Sequence, residues 1–206
     1  MAIEKYSDMN LQELDIMKEI GSIGTSHAAT SLSKMLQKEV RITIPRVSVL
    51  NYQTALDQTG DPEEIVAATL VKMDGDVDGL MLFLFNLRFA NRILEKFMGK
   101  TFDGLESLDE LGASALTEVG NIIICSYINA FSQLAGMDIQ LSVPSFTINM
   151  LGGILTVPMT ECGNDTDQLM YFDADFLIEG EKMNDWLLML ADIASLNRIL
   201  SKLGVS

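Results

Sequence analysis

The chain has 206 residues, of which 48% are apolar and 21% charged, and its formal net charge is −15. This composition supports a substantial buried core, so extensive disorder is excluded. The negative charge argues against nucleic acid or an anionic membrane as a partner, because like charges repel phosphate. The same charge fits a partner with a basic patch, although acidic surfaces also serve solubility alone.

The N-terminal residues and the longest apolar run indicate a soluble, cytoplasmic protein. The first ten residues contain no apolar stretch of the kind found in secretory signals. The longest apolar run, 80–85, is far shorter than the roughly 20 residues that span a bilayer. Two cysteines, Cys125 and Cys162, are too few for a disulfide framework or a metal cluster. We therefore expect free thiols in a reducing compartment and no membrane insertion.

Apolar periodicity and turn residues predict alternating helices and strands in the first half. In chain order these are a helix over 10–37, strands over 40–50, 64–73 and 80–85, a helix over 86–99 and a linker over 100–107. Pro45 interrupts the first strand, and proline has no amide hydrogen to donate to a neighbour. The first strand is therefore expected at an edge of the sheet or at a bulge.

The same order begins again in the second half. The predicted elements are a helix over 108–136, a strand over 139–148, an extra strand over 153–159, strands over 168–179 and 186–191, and a last helix that runs to 204. Pro144 interrupts the first of these strands as Pro45 interrupts its counterpart. The two halves therefore have matching predicted architecture.

Residue identities also recur between the halves, which indicates an internal duplication. An offset of 99 pairs Glu19 with Glu118 and Pro45 with Pro144, and the sequence of 91–94 returns at 197–200. We predict a single domain over 1–206 made of repeats 10–99 and 108–204. The predicted fold is mixed α and β, with an internally duplicated helix–three strands–helix unit. The two units would form one sheet flanked by helices, with pseudo-twofold symmetry.

One polar stripe interrupts the apolar pattern of each long helix. In the second half it is Ser114, Glu118 and Asn121, whose spacings of four and three place them on one face. The equivalent residues of the first half are Asp15, Glu19 and Ser22. Any amphipathic helix has a polar face, so one stripe alone would mean little. Its recurrence at the same point of both repeats favours a functional site.

A glycine lies beside each stripe, at Gly21 and Gly120. Glycine inside a helix costs roughly 1 kcal/mol relative to alanine. Its lack of a side chain lets another backbone or a partner protein come close. Close packing of the helix inside the protein explains these glycines equally well, and the sequence leaves the two explanations open.

The stripes resemble the signature of the CheC/CheX/FliY family of chemotaxis phosphatases. That signature is Asp or Ser, then Glu four residues on, Asn three residues further, and Pro after 22 more residues. It is present in full at Ser114, Glu118, Asn121 and Pro144, and with Ser in place of Asn at Asp15, Glu19, Ser22 and Pro45. Two motif copies and the length resemble CheC more than CheX, which has one motif, or FliY, which has a further domain.

The resemblance implies a phosphatase that hydrolyses the aspartyl phosphate of the response regulator CheY. CheY brings its own Mg²⁺ and lysine, so the phosphatase needs no cofactor or metal of its own. Asn121 would position the attacking water and Glu118 would pair with that lysine. Because the Ser22 hydroxyl is shorter than an amide, the first site is expected to be weak or inactive, with Glu19 still able to help docking.

Two other functions stay open from the sequence. The chain could be a non-catalytic receiver-binding module or a component of the flagellar switch, because the middle domain of FliM resembles the same fold without the motif. The deamidase CheD is an alternative partner of some family members through an acid in the strand after the second motif. Asn149 stands where that acid is expected, which argues against CheD here.

Overall fold

The computed structural model describes residues 2–161 and 168–205. The helices are α1 (Leu11–Leu36), α2 (Tyr52–Thr59), α3 (Leu87–Met98), α4 (Glu110–Ala135), α5 (Leu151–Glu161) and α6 (Ile193–Lys202). The strands are β1 (Val40–Ile42), β2 (Arg46–Asn51), β3 (Ile65–Gly75), β4 (Gly79–Phe85), β5 (Ile139–Leu141), β6 (Ser145–Met150), β7 (Gln168–Ile178) and β8 (Glu181–Ala191). The predicted mixed fold with one sheet and flanking helices is confirmed.

The strands form one antiparallel sheet in which the two halves exchange their first strands. The order is β1, β7, β8, β4, β3, β5, with β2 also on β7 and β6 also on β3. Strands β4 and β8 pair at the centre of the sheet, with Leu82 opposite Leu188. Each half therefore supplies the edge strands of the other half. The order of elements also repeats between the halves, while the duplication and the repeat boundaries stay predictions.

The two prolines break the edge strands where the sequence indicated. Pro45 separates β1 from β2, and both of these strands pair with β7 on one side only. Pro144 separates β5 from β6, which both pair with β3. A residue without an amide hydrogen is tolerated at such an edge because no neighbour needs its donor. The predicted edge position of the strand over 40–50 is confirmed.

Helices α1 and α4 lie side by side against one face of the sheet and cover its larger hydrophobic core. Met17, Ile20, Ile123 and Ile124 are among the buried residues of that core. A Cβ at Gly24 of α1 would lie 3.0 Å from the Cα of Tyr127 of α4, so the two helices touch there. The length and apolarity of α4 alone would suit a membrane span, but half of its most apolar window is buried inside the protein.

The opposite face of the sheet carries a smaller core under α2 and α5. The prediction of a strand over 153–159 is wrong, because these residues belong to α5. Leu151, Ile154 and Leu155 are buried at helical spacing and pack with Leu56 of α2. The β-branched residues Ile154, Thr156 and Val157 favour a strand, and burial of this apolar face against the sheet outweighs that preference. Helix α2, capped by Asn51, was not predicted.

Candidate functional site

The N-terminus of α4 is held by a polar cap close to the intact stripe. The Asp109 side chain accepts a hydrogen bond of 2.7 Å from the Gly112 amide, and Lys100 approaches the same carboxylate at 3.3 Å. The hydrogen bond from Gly112 and the neighbouring Lys100 hold the Asp109 pKa below its ordinary value. Gly136 ends the helix in the left-handed conformation. Local sequence therefore fixes both ends of the helix that carries the stripe.

The intact stripe faces outward along α4. Ser114 and Glu118 are exposed and Asn121 is half-buried, whereas the adjacent Val119 and Gly120 are buried on the sheet side. In the described part of the chain the Glu118 carboxylate has no hydrogen bond or ion pair. The structure thus presents an acid and an amide, one turn apart, at the surface.

A fourth residue, Cys125, continues this stripe one turn beyond Asn121. Its Sγ lies 3.4 Å from the Asn121 Oδ1 and is placed to donate a hydrogen bond to it. Burial, and next the charge of Glu118, raise the pKa of this thiol. The contact of Cys125 with Asn121 was not predicted from the sequence, although a spacing of four places both residues on the same face of the helix.

An apolar groove of about 460 Å³ opens beside Glu118. Phe97 and Leu111 line it and are 52% and 63% exposed, so they form an exposed apolar patch at the groove. The other lining residues are Met35, Met98, Lys100, Ser114, Ala115 and Glu118. Three helices therefore meet in an accessible apolar surface next to the stripe.

The glycines beside the stripes serve packing inside the protein. A Cβ at Gly120 would lie 2.5 Å from the Thr69 Cβ, and closer still to its Oγ1, in strand β3. A Cβ at Gly21 would lie 2.9 Å from the Pro45 Cγ. Both glycines are buried. Close helix–sheet contact accounts for them, and the alternative of close approach by a partner is not needed. Gly21 also explains the position of Pro45, which packs on α1 immediately before Ser22.

The first stripe has the same placement with different chemistry. Asp15 and Glu19 are exposed and Ser22 is half-buried on α1. The Ser22 carbonyl oxygen accepts hydrogen bonds of 2.8 Å from the hydroxyls of Thr25 and Ser26. Of the six residues in the two stripes, only Asn121 carries a side-chain amide, so the first stripe lacks that group.

The two stripes are separated on the surface. Met35, near the C-terminus of α1, shares a groove with Ser114, near the N-terminus of α4, so the two helices run antiparallel. With a rise of 1.5 Å per residue, the stripes lie roughly 20 Å apart along the helix pair. They therefore form two distinct surfaces and not one composite site.

Pro144, the last member of the second motif, is half-buried between the two edge strands.

Tyr127, near Asn121 on α4, is only 3% exposed and packs edge-on against Phe172, so it belongs to the core. Within 2–161 and 168–205, no three His, Cys, Asp or Glu residues cluster as metal ligands would.

Comparisons with known proteins match this arrangement. A model described as the CheC-like family matches residues 13–49 and 111–148, one stretch in each half and each containing one stripe. The CheY-P phosphatase CheC of Bacillus subtilis is 25% identical over 205 residues, which are 98% of either chain. The predicted resemblance to the CheC/CheX/FliY family is confirmed. Both halves match the CheC-like model, and the similarity to CheC extends over nearly the whole chain.

Relatives of the CheC-like family include switch proteins. The flagellar motor switch phosphatase FliY of B. subtilis is 30% identical over 143 residues, which are 69% of this chain and 37% of that protein. The crystal structure of Thermotoga maritima FliY superposes with a TM-score of 0.74 at 24% identity, covering 95% of this chain and 97% of that one. The FliM middle domain from H. pylori gives 0.69 at 12% identity, covering 94% and 99%. The last two similarities show the fold alone.

Proposed function

We propose that this CheC-like protein is a phosphatase that hydrolyses the aspartyl phosphate of CheY or a similar receiver domain. The observation that carries the proposal is the outward-facing pair of Glu118 and Asn121 beside an accessible groove. The full-length similarity to a protein named CheY-P phosphatase supports it. The protein would act in the cytoplasm, in chemotaxis signalling.

Asn121 has the chemistry to hold the attacking water. Its amide both donates and accepts hydrogen bonds, so it can fix a water in line with the phosphorus. Phosphoryl transfer passes through a loose transition state, for which positioning and charge placement supply most of the catalysis. The receiver supplies Mg²⁺, which neutralises phosphate charge, so this chain needs no metal or cofactor of its own.

Glu118 is suited to docking. Its exposed carboxylate is not engaged by a cation of the described chain, so it is free to pair with the receiver's active-site lysine. Phe97 and Leu111 in the adjacent groove offer apolar surface for the same partner. The net charge of −15 favours a basic docking patch on that partner. On the first surface Glu19 would support docking, while Ser22 would leave catalysis weak or absent.

A non-catalytic binding module or a switch component is the second candidate, because the same fold occurs in FliM, including a FliG–FliM complex, and a relative is named flagellar motor switch phosphatase FliY. A time course of phosphate loss from a phosphorylated receiver separates the candidates. The phosphatase accelerates the loss at catalytic amounts of protein. A binding module leaves the decay unchanged or slows it, and that result would overturn the proposal.

CheD stays an alternative partner, which the exposed Asn149 on β6 argues against.

Glu118→Gln is expected to weaken docking more than chemistry. The substitution keeps the size of the side chain but removes the charge that pairs with a lysine. We expect KM for the phosphorylated receiver to rise on the order of 10-fold with a smaller change in kcat. Steady-state phosphate release at low and high receiver concentration measures both constants. Glu19→Gln is the matched control and should change KM less, because the first surface contributes little turnover. A loss confined to kcat would contradict the docking role.

A further inference from the structure

The side chain of Asn121 has one direct polar neighbour on its own helix. The Sγ of Cys125, one turn further along α4, is 3.4 Å from the Asn121 Oδ1. Residues four apart on a helix lie on the same face, so this contact follows from the backbone geometry. Cys125 is half-buried, as is Asn121.

The thiol keeps its proton and can act as a donor. Burial and the nearby Glu118 carboxylate both disfavour a thiolate, which raises the pKa of Cys125. A carbonyl oxygen has two lone pairs. The S–H group therefore occupies one lone pair of the Asn121 Oδ1 and leaves the other for a water molecule.

We propose that Cys125 is a positioning residue, whose thiol donates to the Asn121 Oδ1 and fixes the orientation of the amide that meets the attacking water. This role rests on the proposed phosphatase function. Without the thiol, the amide can rotate about its last side-chain bond and exchange its oxygen for its NH₂ group. Fewer encounters would then find the water in line with the phosphorus.

Hydroxyl groups elsewhere on these helices show why a thiol suits this position. Ser26, which the offset of 99 pairs with Cys125, donates to the backbone oxygen of Ser22 at 2.8 Å. Thr117 and Ser126 likewise donate to the carbonyl four residues earlier, at 2.7 Å each. A helical hydroxyl is thus drawn to the backbone. The thiol, a weaker donor on a longer bond, instead reaches the side-chain oxygen of Asn121.

The test is Cys125→Val in the full chain, because valine is close to cysteine in size and lacks the S–H donor. We expect kcat for phosphate release to fall about 3- to 10-fold with KM unchanged, as for the loss of one hydrogen bond. An unchanged unfolding midpoint shows that the variant is folded. Unchanged kcat, or a rise in KM alone, would overturn the inference. Cys125→Ala is the second variant, should valine disturb folding.

Infrared spectroscopy tests the hydrogen bond without catalysis. In a Cys162→Ala chain, Cys125 supplies the S–H stretching band, and Asn121→Leu removes its acceptor at similar size. We expect the band to move to higher wavenumber in the leucine variant, and an unmoved band would overturn the contact. Activity lost in Asn121→Ala but kept in Cys125→Val would refute this inference alone. Full activity in Asn121→Ala would refute the role of Asn121 on which this inference rests, whereas no acceleration of phosphate loss by the wild type would refute the proposed function itself.

Discussion

Asn121→Ala is expected to remove most of the phosphate release that the wild-type protein catalyses. The substitution deletes the amide that both donates to and accepts from the attacking water, and leaves the carboxylate of Glu118 for docking. Misplacing a reacting group costs on the order of 10²-fold, so we expect a loss in kcat of that size. Alanine is a better helix former than asparagine, so α4 should keep its stability. Phosphate release from a phosphorylated receiver measures the effect.

Ser22→Ala is the matched control for this prediction. Ser22 occupies the equivalent point of α1 and is half-buried in the same way, but it carries no amide. Its substitution should change phosphate release little. If Ser22→Ala is the damaging variant and Asn121→Ala is not, the assignment of the working site is inverted.

Gly120→Ala is expected to destabilise the fold strongly, although it adds only one methyl group. That methyl group would lie 2.5 Å from the Thr69 Cβ, in a strand paired on both sides, so neither partner can move freely. Overpacking of this kind costs typically 1–3 kcal/mol, and we expect the upper end of that range in the free energy of unfolding. Denaturant-induced unfolding measures it. Because Asn121 is the next residue, any shift of α4 should also lower phosphate release.

Gly153→Ala is the control, and it is expected to raise the free energy of unfolding, which Gly120→Ala should lower. Gly153 also lies in a helix, but a Cβ there would meet its nearest neighbours, the Asn149 side-chain atoms, at 3.8 Å. Alanine should therefore stabilise the protein by up to about 1 kcal/mol through helix propensity. Equal effects of the two substitutions would show that helix propensity, and not contact with Thr69, determines the role of Gly120.

Much of the fold could be predicted from local patterns. The strand around Pro45 is predicted at an edge or a bulge because proline cannot donate to a neighbouring strand, and the interruption of its counterpart at Pro144 is likewise predicted. Asn10 and Gly136 mark ends of the two long helices through local hydrogen bonds and backbone conformation. The exchange of edge strands between the halves was not predicted, because pairing partners distant in sequence leave no local signal.

Helix α5 shows where local patterns mislead. The sequence over 153–159 is rich in residues that favour strands, and its helical state depends on burial of Leu151 and Ile154 against the far face of the sheet. Only the tertiary structure reveals that such a face needs covering. A short helix such as α2, of eight residues, likewise depends on its context for stability.

The candidate site, like the fold, could be predicted from the sequence only in part. Spacing places Ser114, Glu118 and Asn121 on one face because of helical periodicity, and the recurrence of the stripe in both halves identifies it as a candidate site. The groove beside them could not, since Phe97 and Met35 come from helices far away in sequence. Helical spacing predicts that Cys125 lies near Asn121. Only the arrangement of the side chains shows that its thiol contacts the Asn121 Oδ1.

The most direct test of the central claim transfers the amide between the two stripes. Phosphate release from a phosphorylated receiver is compared for the wild type, Asn121→Ala, and the double variant Asn121→Ala with Ser22→Asn. If the amide at this helix position is what makes the site catalytic, the single variant loses most activity and the double variant recovers part of it. Full phosphate release by Asn121→Ala alone would contradict the account, and no recovery in the double variant would show that more than Ser22 disables the first site.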